Sequence, residues 1–155
     1  MSKKPWKVTG SYVVRRLEML QSPAWTAAPR AMKDWLEVLE VEHMRHKGCA
    51  NGQLFKSYTQ FIAEGFNRNT VSEMSKIAEA LGFVKINRES GVGYSGDLRD
   101  ASAYTLTYLP TGTGRDIAPT DEWRRLKSIE QVERIIEAVR SKRKKSNTLA
   151  KRRVA

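Results

Sequence analysis

The segment from Asn67 to Gly82 constrains the fold of this chain more than any other. Five apolar residues recur within it at helical spacing and predict one buried stripe: Val71, Met74, Ile77, Ala78 and Leu81. Asn67 is a residue type whose side-chain oxygen caps the free backbone N–H groups of a first helical turn. Gly82 can take the positive φ that commonly ends a helix. The sequence therefore predicts an amphipathic helix with well-defined limits, one face buried and the other polar.

The segments on both sides of this helix predict a helix-turn-helix followed by a β-hairpin. A shorter helix is expected over 57–65, with the core-facing side chains Tyr58, Phe61 and Ile62. Two β-rich runs, 83–86 and 104–108, are expected to pair as strands, joined by a long loop that contains three glycines. This order is that of a winged helix-turn-helix, which places its second helix in the DNA major groove. We therefore expect a mainly α fold with a small β-hairpin, an N-terminal helical extension and a C-terminal helix.

The chain is expected to divide into five parts along its length. Within residues 12–109, which are predicted to form the winged helix-turn-helix domain, Tyr12–Val14 predicts a short strand and Arg15–Gln21 a helix, and a long helix is expected from Pro29 to Lys47. The five parts are a flexible basic arm (1–11), the winged helix-turn-helix domain (12–109), a linker (110–127), an amphipathic C-terminal helix (128–140) and a basic disordered tail (141–155).

The C-terminal helix begins with a capping box in which Gln131 is expected to reach back to the backbone N–H of Ser128. Its apolar stripe has two possible uses. It can fold back over the domain, or it can pair with a second copy in a homodimer. Pairing would use spacings of three, four and three residues between Ile129, Val132, Ile136 and Val139.

Several short segments resemble bacterial DNA-binding proteins. Residues 65–71 followed by 80–84 are similar to the winged helix of many bacterial transcription regulators. The segments that resemble small helix-turn-helix proteins of proteobacterial phages, plasmids and integrative elements are 18–25, 42–48, 51–54, 106–108 and 122–125. This resemblance implies a role on, or control of, a mobile element, such as its transfer or replication. A transcriptional regulator is the function expected first, with repression favoured over activation.

The net charge of +11 favours a polyanionic partner, and nucleic acid is the most common one. The charge is concentrated at the two ends of the chain. Residues 140–155 contain eight lysines or arginines and no acid, whereas residues 57–108 contain five basic and six acidic side chains. We therefore expect double-stranded DNA as the partner, although the predicted helix-turn-helix is not itself basic.

The polar face of the Asn67–Gly82 helix is the predicted base-reading surface. Arg68 has the geometry for a guanine edge or a phosphate, and Asn69 for an adenine edge. Glu73 is expected either to accept from a cytosine or to pair with Lys76. The same side chains also fit an ordinary solvated helix face. The predicted reading residues are Arg68, Asn69, Thr70, Ser72, Glu73 and Lys76.

Phosphate contacts are expected from two other groups of residues. Around the reading helix and the hairpin they are Ser57, Thr59, Lys85, Arg88, Tyr94 and Arg99. The basic tail is expected to bind any duplex in a salt-sensitive way, or else only to keep the chain in solution. Its charged residues are Arg140, Lys142, Arg143, Lys144, Lys145, Lys151, Arg152 and Arg153.

Other classes of protein fit the sequence less well. Its apolar runs are far shorter than the roughly 20 residues that span a bilayer, so we expect no membrane segment and a cytoplasmic, nucleoid-associated bacterial protein. His43, His46 and Cys49 have no complete set of zinc ligands, because Gly48 is expected to end their helix before Cys49. We find no catalytic motif, and we expect no enzyme activity, metal, cofactor or small-molecule ligand.

Three functions are compatible with these features. The first is a sequence-specific DNA-binding regulator, in which the reading helix gives specificity and the tail adds non-specific affinity. The second is a replication-initiation or partition accessory protein that binds origin repeats through the same fold. The third is a protein-interaction module, because the winged helix carries almost no net charge.

Overall fold

The computed structural model describes residues 2–88 and 102–154. Within these residues the chain is a mixture of α-helices and a small antiparallel sheet, and the helices predominate. In chain order the elements are α1 (Leu17–Leu20), α2 (Pro23–Thr26), α3 (Arg30–Arg45), β1 (Leu54–Lys56), α4 (Tyr58–Ala63), α5 (Arg68–Ala80), β2 (Val84–Asn87), β3 (Ser102–Leu106), a 3₁₀ helix (Glu122–Arg125) and α6 (Ile129–Val154).

The prediction for α5 is confirmed. The Asn67 side-chain oxygen accepts hydrogen bonds from the backbone N–H groups of Asn69, at 2.7 Å, and Thr70, at 3.3 Å. Gly82 follows the helix with a φ of +83°. The five residues of the apolar stripe are all buried. Local signals therefore fix both ends of α5 and decide which of its faces turns outward.

The sheet has three strands in the order β1–β3–β2, and every pair is antiparallel. The expected hairpin is the β2–β3 pair, in which Val84 lies opposite Leu106. Strand β1 was not predicted, since its three residues are too few to show an alternating pattern. Leu54 lies opposite Tyr104, so β1 places a buried leucine beside the central strand.

The hydrophobic core lies between α3, the α4–α5 pair and the sheet. At its centre the Trp35 ring stacks on Phe61, with the ring centroids 5.3 Å apart, and meets Tyr104 edge-on at 5.5 Å. Helix α3 packs against α5. The 110–127 segment, expected to be a linker, also contributes to the core, because Trp123 and Leu126 are buried there.

Helix α6 is longer than predicted. It runs without interruption to Val154, so the disordered tail predicted for 141–155 is wrong for the residues that the structure describes. Lysine, arginine, alanine and leucine are strong helix formers, and a helix already nucleated by packing extends without a second nucleation cost. Val132 and Ile136 lie in the core, as expected if α6 folds back over the domain. Neither side chain is therefore free to pair with a second copy.

Three smaller expectations are also corrected. Residues 12–14 form no regular secondary structure, and the first helix is a single turn from Leu17. Ile62 is 41% exposed, because the six-residue α4 buries only Phe61 fully. Gln131 accepts a hydrogen bond from the backbone N–H of Lys127, one residue before the expected donor.

A buried carboxylate connects the N-terminal segment, α3 and the end of the sheet. Both Glu40 oxygens accept hydrogen bonds from Arg15, at 2.9 and 2.6 Å, and the Tyr108 hydroxyl donates to one of them at 2.6 Å. Burial, together with the charge of Glu40, raises the pKa of Tyr108 well above its ordinary value. The Tyr108 hydroxyl is therefore held in its neutral, donating form.

This network predicts that stability falls at alkaline pH. A tyrosine pKa that is raised on folding stabilises the fold fully below the unfolded value near 10 and loses that contribution as the pH rises. We expect the unfolding free energy of the wild type, measured with urea between pH 7 and pH 11, to fall above pH 10. Tyr108→Phe should cost about 2 kcal/mol at pH 7, since it removes a hydrogen bond to a charged group, and should flatten that fall.

Tyr104→Phe is the matched control for this prediction. Burial raises the pKa of Tyr104 to about 12, so Tyr104→Phe should flatten the alkaline fall to a similar extent, but it leaves the hydrogen bond from Tyr108 to Glu40 in place and should cost less stability at pH 7. An alkaline slope in Tyr108→Phe as steep as in the wild type would show that the hydroxyl does not titrate through the Glu40 network.

Candidate nucleic-acid interface

The outward side of α5 carries most of the predicted reading residues. Arg68, Asn69 and Lys76 are exposed, and Thr70 and Ser72 are half-buried. Asn69 and Lys76 are seven residues apart, about two helical turns, so they lie on the same side of the helix. We call this surface, formed by Arg68, Asn69, Ser72 and Lys76, the polar face of α5.

Arg68 is oriented by the neighbouring helix. Its guanidinium lies over the Tyr58 ring of α4, 5.6 Å from the ring centroid. A contact of this kind restrains the arginine without using its N–H donors, which stay available for another acceptor. Asn69 is held at the first turn by the Asn67 cap, which engages only its backbone.

Glu73 is placed differently from both predicted alternatives. One of its oxygens accepts from Arg140 Nε at 2.6 Å, and the other from Arg143 Nη1 at 3.0 Å. Both arginines belong to α6, and the Glu73 side chain is 23% exposed. We call these three residues the Glu73 clamp. Because both of its oxygens are occupied, Glu73 neither pairs with Lys76 nor offers a free carboxylate to a base.

The sequence contains one signal for this clamp. Arg143 follows Val139 by four residues and Ile136 by seven, so it continues the apolar stripe of α6 toward its C-terminal end. The neighbouring residues in the sequence, however, do not indicate that the stripe packs on α5 or that Arg143 pairs with a carboxylate there. The contact joins residues 70 positions apart.

The opposite side of α5 is fixed to the hairpin. The Glu79 oxygens accept from the two terminal nitrogens of Arg88, at 3.4 and 3.0 Å, and this hydrogen bonding raises the pKa of Arg88. Lys85 lies 2.8 Å from Glu122. Lys85 and Arg88 are exposed and were predicted to contact phosphates. Exposed ion pairs contribute little free energy, so a phosphate can compete for both cations.

Two of the remaining predicted phosphate contacts lie in the helix α4 region. Ser57 is buried and is engaged in a capping box, accepting from the Gln60 N–H at 3.2 Å, so it cannot reach a phosphate and that expectation is wrong. Thr59 is exposed in the first turn of α4. Tyr94 and Arg99 fall outside the described residues.

The C-terminal half of α6 carries the strongest concentration of positive charge. Arg140 and Arg143 belong to the Glu73 clamp. In the part of the chain that the structure describes, the other basic side chains beyond residue 139 form no ion pair and are all exposed: Lys142, Lys144, Lys145, Lys151, Arg152 and Arg153.

The histidines of α3 have other surroundings. His43 is buried, and its pKa is lowered first by burial and then by the charge of Arg115. His46 lies 3.1 Å from Glu42, and Cys49 is exposed. Across residues 2–88 and 102–154, no three His, Cys, Asp or Glu side chains are grouped so that they could hold a metal ion. None of the helices described has the length and apolar character needed to cross a membrane.

Comparisons with known proteins add no relative to this picture. No protein-family model, no curated protein and no solved structure matches the chain.

Proposed function

We propose that this chain is a sequence-specific double-stranded DNA-binding protein of the winged helix-turn-helix type. The order α3–β1–α4–α5–β2–β3 and the strand order β1–β3–β2 support this, because they place two helices joined by a short turn immediately before a hairpin. In this arrangement α5 is the recognition helix, and the β2–β3 hairpin is the wing.

The observation that carries the proposal is the exposed polar face at the N-terminal half of α5. Recognition helices contact base edges with their N-terminal residues. Arg68 offers a donor fork that fits the two acceptors of guanine, and the Asn69 amide fits the donor and acceptor of adenine. Both side chains are exposed in the first turn, and the Arg68 N–H donors are not consumed by its contact with Tyr58.

The contacts around α5 hold its outward surface rigid before it meets a partner, which favours binding. Its inner face lies in the core, Glu73 is attached to α6 on one side, and Glu79 is attached to the hairpin on the other. A surface fixed before binding loses less conformational entropy when it meets a partner.

The carboxylates of the proposed helix-turn-helix should also repel DNA phosphates less than the count of charges in the sequence indicates. Residues 57–108 carry six acids and five basic groups. Glu73 is held by two arginines from outside this segment, and Glu79 by Arg88 within it. The carboxylates of α5 therefore face a duplex as paired groups and repel its phosphates less than free ones would.

We further propose that the protein regulates transcription, as a repressor, on a mobile element. The regulatory role rests on the resemblance of the 65–71 and 80–84 segments to bacterial winged-helix regulators. The link to a mobile element rests on the segments that resemble small helix-turn-helix proteins of phages, plasmids and integrative elements: 18–25, 42–48, 51–54, 106–108 and 122–125. A repressor of this kind would occupy its own promoter.

Selection of bound duplexes from a random pool, followed by mapping of bound sites in the source genome, tests the proposal. We expect one enriched motif and sites at the protein's own promoter. Clustered repeats beside an origin would replace the regulatory role with replication or partition. Binding without any enriched sequence, or no binding to duplexes, would overturn the proposed function.

A further inference from the structure

Helix α6 runs alongside α5 in the opposite direction. Arg125, just before α6, donates to the carbonyl oxygen of Ala80 at the C-terminal end of α5, whereas Arg140 and Arg143 reach Glu73 in the middle of α5. Continuing in this direction carries α6 toward the N-terminal end of α5, where the proposed base-reading residues lie.

The far end of α6 extends beyond that point. Eleven residues separate Arg143 from the last helical residue, Val154, which is roughly 16 Å of helix. Only five residues separate Glu73 from the start of α5 at Arg68, roughly 8 Å. By this measure, about one and a half turns at the end of α6 extend past the start of α5, where the proposed base-reading residues lie.

The charge of this projecting end fits a phosphate backbone. Residues 144–154 contain five basic side chains and no acid, and none of the five forms an ion pair within the described residues. Like charges on a helix repel one another, so this arrangement is relieved by an anionic partner. The exposed large apolar side chains of this segment are Leu149 and Val154, which together offer too little apolar surface to hold a protein partner.

We infer that residues 144–154 of α6 are a second DNA-binding element, which contacts phosphates on one side of the site read by α5. The inference rests on the proposed DNA-binding function and deepens it. The Glu73 clamp sets the direction of this element, so Glu73 is a positioning residue and not a reader of bases. A rigid helix fixed beside α5 contacts a defined set of phosphates, whereas a flexible basic tail would spread its contacts over both sides.

Two charge-matched triple variants of the full chain test the second element. Lys151→Gln, Arg152→Gln and Arg153→Gln together should lower the salt slope of binding by about 2 to 3 on selected and scrambled duplexes alike. They should also remove hydroxyl-radical protection from one flank of the selected site. Lys3→Gln, Lys4→Gln and Lys7→Gln remove the same charge from the N-terminal arm and should leave slope and footprint unchanged. Equal effects from the two triple variants would overturn the inference.

Glu73→Gln tests the clamp through the sign of its effect. The substitution makes the protein more positive, so a carboxylate that merely lies near DNA predicts tighter binding. The clamp predicts about tenfold weaker binding to every duplex, as expected when a few phosphate contacts are lost, with the preferred sequence unchanged. Glu133→Gln is the matched control, because it removes the same charge from an exposed carboxylate of α6 that forms no ion pair within the described residues, and it should not weaken binding.

The outcomes separate this inference from the proposed function. If Glu73→Gln tightens binding and keeps the one-sided footprint, the clamp does not direct α6, and sequence recognition by α5 is unaffected. If the wild type prefers no sequence but the α6 triple variant still lowers the salt slope, residues 144–154 bind DNA as inferred, and the proposed sequence-specific recognition is wrong.

Discussion

Replacing Arg68 and Asn69 together with alanine is expected to abolish recognition of the selected site while preserving weak binding to any duplex. A good bidentate contact to a base contributes about 1–3 kcal/mol of discrimination, so two of them contribute about 2–6 kcal/mol. The preference for the selected over a scrambled duplex should therefore fall by roughly 30-fold or more. Competition binding at a fixed salt concentration, with the two duplexes labelled differently, measures this ratio directly.

The loss should not come from unfolding. Both side chains are exposed, and the Asn67 cap engages only the backbone N–H of Asn69, which alanine retains. Removing the contact of Arg68 with the Tyr58 ring should cost about 0.5 kcal/mol of stability, a value typical of exposed cation–π pairs. A thermal melt of the variant should thus nearly coincide with that of the wild type.

The control for this experiment removes the same two residue types from another exposed helix surface. Arg152→Ala with Asn147→Ala takes one guanidinium and one amide from the C-terminal half of α6. This variant should bind both duplexes more weakly by the same factor and keep the preference between them. If the Arg68 and Asn69 double variant behaves in the same way, α5 does not read bases.

The limits and the exposed side of α5 could be predicted because their causes are local. A capping asparagine, an apolar stripe and a terminal glycine all lie within sixteen residues of one another, and each acts on the backbone next to it. The same holds for α3, whose buried side chains repeat at helical spacing from Met32 to His43.

The surroundings of α5 could not be predicted, since they depend on contacts between distant parts of the chain. The Glu73 clamp joins positions 67 and 70 residues apart, and Lys85 meets Glu122 from a segment expected to be a linker. Amphipathic spacing in α6 indicated that one face is buried, but not which element covers it.

Two of the predictions that the structure corrects concern segments whose sequence already contains a signal for the observed structure. Ser57 and Gln60 have the spacing of a capping box, which already assigns the serine hydroxyl to the helix and not to a phosphate. The disorder predicted for residues 141–154 follows from their charge alone, although their lysines, arginines, alanine and leucine favour helix when a packed helix precedes them. Charge repulsion does not outweigh propensity once the first turns are fixed by Val132 and Ile136.

Among the glycine-to-alanine substitutions at described positions, Gly82→Ala is expected to destabilise the fold most. Gly82 has a φ of +83°, which costs an alanine about 1–2 kcal/mol. An added Cβ would also lie 2.7 Å from the carbonyl carbon of Glu122 and 2.8 Å from the backbone nitrogen of Trp123. Neither backbone atom can rotate away, so the overlap should cost a further 1–3 kcal/mol, roughly.

The total of about 3 kcal/mol should lower the melting temperature by roughly 10 °C in a domain of this size. Gly65→Ala separates the two causes, because Gly65 also follows a helix with a positive φ, of +99°, but has nothing within 4 Å of the added methyl group. Gly65→Ala should therefore cost only the backbone strain, about 1–2 kcal/mol. Both substitutions change the unfolded chain equally, so the difference between them measures the close approach of the 122–125 segment to the end of α5. Equal losses of stability would mean that this segment can move away from Gly82. In that case the path of the chain from α5 through Trp123 into α6, which sets the direction of α6, would not be fixed at this point.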